Sequence, residues 1–117
     1  MTIKQLTDKY YFHDSCVTNI TFSAETQRLI ITMDFCQWAQ EWYTEKEPEN
    51  VWLKITFHGI DEYNGITGDI DYFSILDAEI KDDRFRLFIL DDFHNEEYDY
   101  YLSPSAVEVE ILGPVED

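Results

Sequence analysis

The stretch Val51-Trp52-Leu53-Lys54-Ile55-Thr56-Phe57-His58 alternates without a break. Val51, Leu53, Ile55 and Phe57 fall on one side, and Trp52, Lys54, Thr56 and His58 on the other. Successive side chains of an extended chain face opposite ways, so this run reads as a strand with one buried face, closed by Gly59. Similar alternating runs lie before and after it, and an all-β fold follows.

The flanking runs pair by hydropathy. Cys16 to Phe22 and Leu29 to Phe35 make a hairpin in which Phe22 meets Leu29, Ile20 meets Ile31, Thr18 meets Met33 and Cys16 meets Phe35. A slip of one residue would set Phe22 against Arg28 and turn the apolar set outward. In this register Cys16 lies on the core face and Cys36 points away, which is poor geometry for a bridge. Residues 74–80 and 85–91 make a second hairpin around Asp82-Asp83. Ile80 meets Phe85, Ala78 meets Leu87, Leu76 meets Ile89, and Glu79 stands across from Arg86. Glu97 to Leu102 and Val107 to Leu112 suit a third, with Leu102 against Val107. That pairing sets Asp99 across from Glu110, a repulsive juxtaposition unless the two strands are not neighbours. Between Cys36 and Asn50, one helical turn would stack Trp38 and Trp42 on one side until Pro48 stops it. Residues 59–69, with Asn64-Gly65 and Gly68, carry turn chemistry. With a short helical lead-in over residues 2–9, the expectation is one domain spanning 1–117: a small antiparallel β-sandwich or open barrel of about seven strands.

Charge narrows the function classes more than any motif. The chain has 117 residues, a net charge of -17 and an aromatic fraction of 16%, so a folded core is wrapped in carboxylate. Residues 1–58 hold 5 basic and 8 acidic side chains, whereas residues 59–117 hold 3 and 17. Such a surface repels nucleic acid and anionic lipid and steers basic partners inward. No apolar run approaches the length of a membrane span, and the start is polar, so the expectation is a cytoplasmic protein whose two cysteines are free thiols.

Catalytic and metal readings find little. His13-Asp14-Ser15-Cys16 places a base, an acid and two nucleophiles side by side, but neighbours on an extended chain point apart; a turn role fits better. His13, His58 and His94 are widely spaced, and neither cysteine has a partner at metal-ligand spacing. Asp69-Ile70-Asp71 and Asp91-Asp92 lack the pattern of a calcium loop, and the 4 glycines form no phosphate loop. No catalytic residue, metal ligand or cofactor is assigned. What remains is the run Asp91 to Tyr101, where tyrosines alternate with carboxylates. Tyrosine supplies contact area with a polar tip, and carboxylates pair with Arg and Lys of a partner. The candidate contact residues are Asp91, Asp92, Glu96, Glu97, Asp99, Tyr101, Glu108 and Glu110, with Trp38 and Trp42 as a second anchor. Carboxylates two apart on a strand repeat at roughly 6.6 Å, so such a row also suits a groove built for phosphates.

The residues Tyr11-Phe12-His13-Asp14-Ser15, a following alternating strand, Trp38, and then Leu53-x-Ile55-x-Phe57-x-Gly59 resemble small acidic all-β bacterial proteins grouped with the immunity proteins of toxin systems. The resemblance spans the first half of the chain and assigns no residue a role. It implies a cognate toxin, often a basic nuclease. The functional expectation is a non-enzymatic protein that neutralises a basic partner; the alternatives are a nucleic-acid mimic that occupies the site of a nuclease or DNA-binding protein, and a small ligand-binding or enzymatic β domain.

Overall fold

A computed structural model describes residues 1–116. In chain order it comprises helix α1 (Ile3–Lys9), strands β1 (Cys16–Ser23) and β2 (Arg28–Cys36), a 3-10 turn (Gln37–Ala39), and strands β3 (Asn50–His58), β4 (Gly68–Lys81), β5 (Arg84–Asp91), β6 (Glu96–Leu102) and β7 (Ala106–Pro114). All seven strands belong to one antiparallel sheet of order β6-β5-β4-β1-β2-β3-β7 that does not close. The expected all-β fold with a short N-terminal helix is therefore observed, as a single curled sheet rather than two packed ones.

The uninterrupted alternation of β3 explains its place. Val51, Leu53, Ile55 and Phe57 are buried and register with Phe35, Met33, Ile31 and Leu29 of β2. On the other side Leu53, Ile55 and Phe57 meet Ile111, Val109 and Val107 of β7. The sheet curls about this apolar face until Phe57 of β3 touches Phe85 of β5, with ring centroids 5.4 Å apart. The residual interior void, lined by Phe12, Ile31, Met33, Ile55, Phe57, Ile75, Phe85 and Leu87, is about 10 Å³ and offers a water no polar partner. Helix α1 opens with a Thr2–Gln5 capping box. It packs on β4 and β7, burying Leu6 completely. Met1 pairs with Val107 through both backbone directions, at 2.7 and 2.8 Å.

Each of the three expected hairpins is corrected in part or whole, and β-bulges or curl account for the corrections. The Phe22–Leu29 and Ile20–Ile31 pairs hold, but Thr18 is an extra residue in β1, so Val17 meets Met33 and Cys16 meets Asp34 instead of Phe35. Opposite Thr18, β4 is extruded over Ile70–Tyr72, and Tyr72 takes a positive φ of 51°. In the second hairpin the Ile80–Phe85, Ala78–Leu87 and Glu79–Arg86 pairs hold, but Leu76 bulges and Ile75 takes its place opposite Ile89 in the core. Finally, β6 and β7 are not neighbours; they are the two free edges of the sheet. Their short link docks on the end of β3, where Ser105 donates its backbone N–H to His58 O at 2.8 Å. Gly59, at φ +75°, makes room for it: a Cβ there would stand 2.4 Å from Ser105 Oγ.

Candidate partner-binding site

The turn between β5 and β6 is built by Asp91. Its side chain is buried, and its carboxylate accepts from the backbone N–H of Phe93 at 3.0 Å and of His94 at 3.2 Å, and from His94 Nδ1 at 2.7 Å. Asn95 then adopts a positive φ of 54° and returns the chain into β6. Burial alone would raise the Asp91 pKa, but the His94 side chain and backbone outweigh it and hold the carboxyl below its ordinary range. In turn, the hydrogen bond that His94 donates to Asp91 lifts His94 above its ordinary value. The turn is fastened to β4 by Ser74 Oγ, which donates to Asp92 at 2.9 Å.

This frame holds Phe93 outward, 88% exposed, the most exposed large apolar side chain of the fold. Across from it stands the extruded segment of β4. Ile66, Thr67, Asp69, Ile70, Asp71, Phe73, Asp91, Phe93 and His94 line an open cleft of about 460 Å³ between the two. Asp69 and Asp71 rim one side, with Asp92, Glu96 and Glu97 exposed on the other strand pair. No Lys or Arg occurs between Lys54 and Lys81, or after Arg86. The rim therefore has no Lys or Arg on its own segments, and its one base, His94, is already hydrogen-bonded to Asp91. Asn19 Nδ2 donates to Asp69 at 2.8 Å and fixes that carboxylate in place. Below the rim, the Phe73 and Tyr98 rings stack at 5.7 Å, and Tyr98 donates to Glu96 at 2.7 Å. That bond, with burial behind it, pushes the Tyr98 pKa up to about 12.

The eight candidate contact residues do not form one surface. Asp92 and Glu96 flank the tip and Glu97 follows on β6 opposite Leu90, whereas Asp91 is a buried turn anchor. Asp99 takes a bidentate pair from Arg86 at 2.9 and 3.1 Å, and the same guanidinium reaches Glu79 at 3.3 Å and Asp77 at 3.6 Å. Tyr101 lies under Arg84, 4.5 Å from ring to guanidinium. Glu108 and Glu110 are on the far edge strand, where Glu108 bonds His58 Nε2 at 2.9 Å and Glu110 registers with Lys54. The Trp pair also divides. Trp38 is half exposed, while Trp42 packs against the core, edge-on to Tyr10 at 6.5 Å. The residues missed were Phe93, Asp69 and Asp71. Phe93 had a readable signal: an aromatic between Asp91-Asp92 and His94-Asn95 sits in turn chemistry, where a core side chain does not belong.

The His13-Asp14-Ser15-Cys16 run serves the backbone. Ser15 is fully buried and its Oγ accepts from Cys36 N at 2.9 Å. His13 Nδ1 meets the carbonyl of Leu76, the bulged residue of β4, at 3.0 Å. Among the described residues no group of three or more His, Cys, Asp or Glu is placed to hold a metal, and no helix is long and apolar enough to cross a membrane. A larger open cleft, about 630 Å³, lies between α1, the Tyr10–His13 segment and Gln40–Trp42. Comparison with protein-family models, curated proteins and solved structures gives no match.

Proposed function

We propose that this protein is a non-enzymatic binding protein that captures and neutralises a basic protein, with Phe93 as apolar anchor and the Asp69, Asp71, Asp92, Glu96 and Glu97 carboxylates around it. One observation carries the reading: a hydrogen-bonded tip holds an aromatic ring in solvent beside a cleft whose rim carries carboxylates and no Lys or Arg. A preorganised aromatic loses little conformational entropy on docking, and a surrounding carboxylate field speeds encounter with a cationic surface. A toxin is the partner class that the resemblance to immunity proteins favours. The row of carboxylates needed for mimicry of nucleic acid has less support, because Glu97 and Asp99 lie on one edge of the sheet and Glu108 and Glu110 on the other.

The test is affinity capture from the native host with the wild-type chain, Phe93→Ala, and the combined Asp69→Asn, Asp71→Asn, Glu97→Gln variant. The reading expects one basic protein, held with an affinity that falls steeply with salt and lost from both variants. Equal retention by all three chains, or a captured protein of acidic surface, would overturn it.

A further inference from the structure

The bulge at Thr18 changes the relation of the two cysteines. Without the extra residue Cys16 would face the core opposite Phe35. With it, Cys16 stands between Asp34 of β2 and Ser74 of β4 on the outer face. Cys36 lies two residues beyond Asp34 on β2, so the thiols become diagonal neighbours on one side of the sheet. Diagonal positions have Cα atoms about 7–8 Å apart with Cβ atoms closer, somewhat beyond the usual span of a disulfide, so a bridge needs the strand ends to draw together by about 1 Å. The backbone then draws the sulfurs together: Asp14, at φ 72°, turns its carbonyl so that its oxygen lies 3.9 Å from Cys16 Sγ and 3.4 Å from Cys36 Sγ. Both thiols lie within reach of one acceptor, at the start of β1 and the end of β2, where a small backbone shift together with a change of rotamer would turn them from it to each other.

We propose that Cys16 and Cys36 are an oxidisable dithiol that closes an intramolecular disulfide in the folded protein when it meets a small-molecule disulfide such as oxidised glutathione. Cys16, the more exposed residue of the two, attacks as thiolate, forms a mixed disulfide and releases one glutathione. Cys36 then attacks the Cys16 sulfur and releases the second. Two S–H bonds are replaced by one S–S bond, the glutathione disulfide takes up the two electrons, and the two protons end on the released glutathione thiols. Burial raises both thiol pKa values. Asp34 and Asp14 add to this at Cys36, and Asp34 and Asp92 at Cys16, while the polar groups of Ser74 beside Cys16, and of Ser15 and Asn50 beside Cys36, oppose it. Tyr72, on the extruded part of β4, also faces Cys16 and Asp34. Exchange is accordingly slow at neutral pH and faster as the solution becomes alkaline. The closed bridge would tie the start of β1 to the end of β2, one strand from the Ser74–Asp92 bond that fastens the tip.

The reduced full-length protein is incubated with oxidised glutathione at mildly alkaline pH, quenched with iodoacetamide, and read by intact mass and peptide mapping. The expected product has lost two hydrogens, takes up no alkylating agent, and yields a Cys16–Cys36 linked peptide; its melting temperature rises and returns on reduction. Cys16→Ser and Cys36→Ser each carry at most one glutathione. The urea-unfolded chain is treated in parallel to show that the oxidant is competent. Alkylation of both cysteines, two glutathione adducts, or linkage between chains in the native protein, with bridging in the unfolded one, would overturn the proposal.

Discussion

The contact between Phe57 and Phe85 is the sharpest test of the curl. In the sheet order, β3 and β5 are separated by four strand spacings, so on a flat sheet their side chains would be about 19 Å apart. They are 5.4 Å apart between ring centroids, and both are buried. Phe57→Leu and Phe85→Leu each shorten a packed ring and should cost about 1–2 kcal/mol. For 117 residues, a melting entropy of about 0.25 kcal/mol/K makes that a drop of roughly 4–8 °C for each variant. The informative quantity is the double variant. Aromatic pairs in contact contribute about 0.5–1.5 kcal/mol beyond their buried area, so the double variant should be less destabilised than the sum of the singles by about that amount. Urea unfolding monitored by circular dichroism gives all four stabilities. Residues beyond 7–10 Å with no shared partner add to within about 0.3–0.5 kcal/mol. A coupling at or below that level would mean that the two halves of the sheet do not meet, and the account of the core would fall with it.

Gly59→Ala combines a left-handed φ with an obstructed Cβ and should cost about 1–3 kcal/mol; Ser105→Gly in the same chain should restore part of the loss, and no restoration would remove Ser105 as the obstruction. The Asp91–His94 bond has a definite pH signature. A raised His94 contributes fully below its unfolded value of 6.5 and loses that contribution as pH rises through the higher folded value. A lowered Asp91 contributes above its unfolded value of 3.8 and loses it as pH falls through the lower folded value. The melting-temperature deficit of His94→Gln should thus be larger near about pH 5 than near about pH 9, and equal deficits would refute the coupling. Asp99→Asn should lower the melting temperature because it breaks the bidentate pair to Arg86, whereas Glu97→Gln, which has no such partner, should leave it within about 0.5 kcal/mol of wild type by denaturation.

Much of the fold was legible because the side-chain period of a strand is two, and a single buried face writes that period into the sequence. β3 is the clearest case, and Ile80–Phe85 and Ile20–Ile31 follow from the same rule. The bulges were not legible. One extra residue at Thr18, Leu76 or Leu112 reverses the parity of everything beyond it, yet no change of composition marks it. Unbroken alternation therefore puts Cys16 on the core face and Leu76 opposite Ile89, whereas Cys16 stands on the outer face and Ile75 faces Ile89. The misassigned hairpin between β6 and β7 has a different cause. A link of three residues looks like a hairpin loop in one dimension, but on a curled sheet it can step across the gap between two free edges. The repulsion expected between Asp99 and Glu110 was the one available warning. Of the candidate site, the acidic, aromatic run was visible; its division between turn anchor, ion pair and exposed rim depends on neighbours such as Arg86 and His58 that lie far away in sequence.

That division gives the carboxylates separable duties. A free edge strand exposes unpaired backbone groups that can pair with a second chain, and charge, proline and bulges are the ordinary protection. The β7 edge has all three, in Glu108 and Glu110, Pro114 and the bulge at Leu112. It needs them, because Ile111 and Leu112 are each about half exposed there. Glu108→Gln with Glu110→Gln should consequently promote self-association, read as a concentration-dependent rise in sedimentation coefficient, without altering capture of a basic partner. Asp69→Asn with Asp71→Asn should do the reverse: the chain stays monomeric and the partner is lost. If the β7 pair abolished partner capture while the chain remained monomeric, the binding surface would lie on the far edge of the sheet and not at the Phe93 tip.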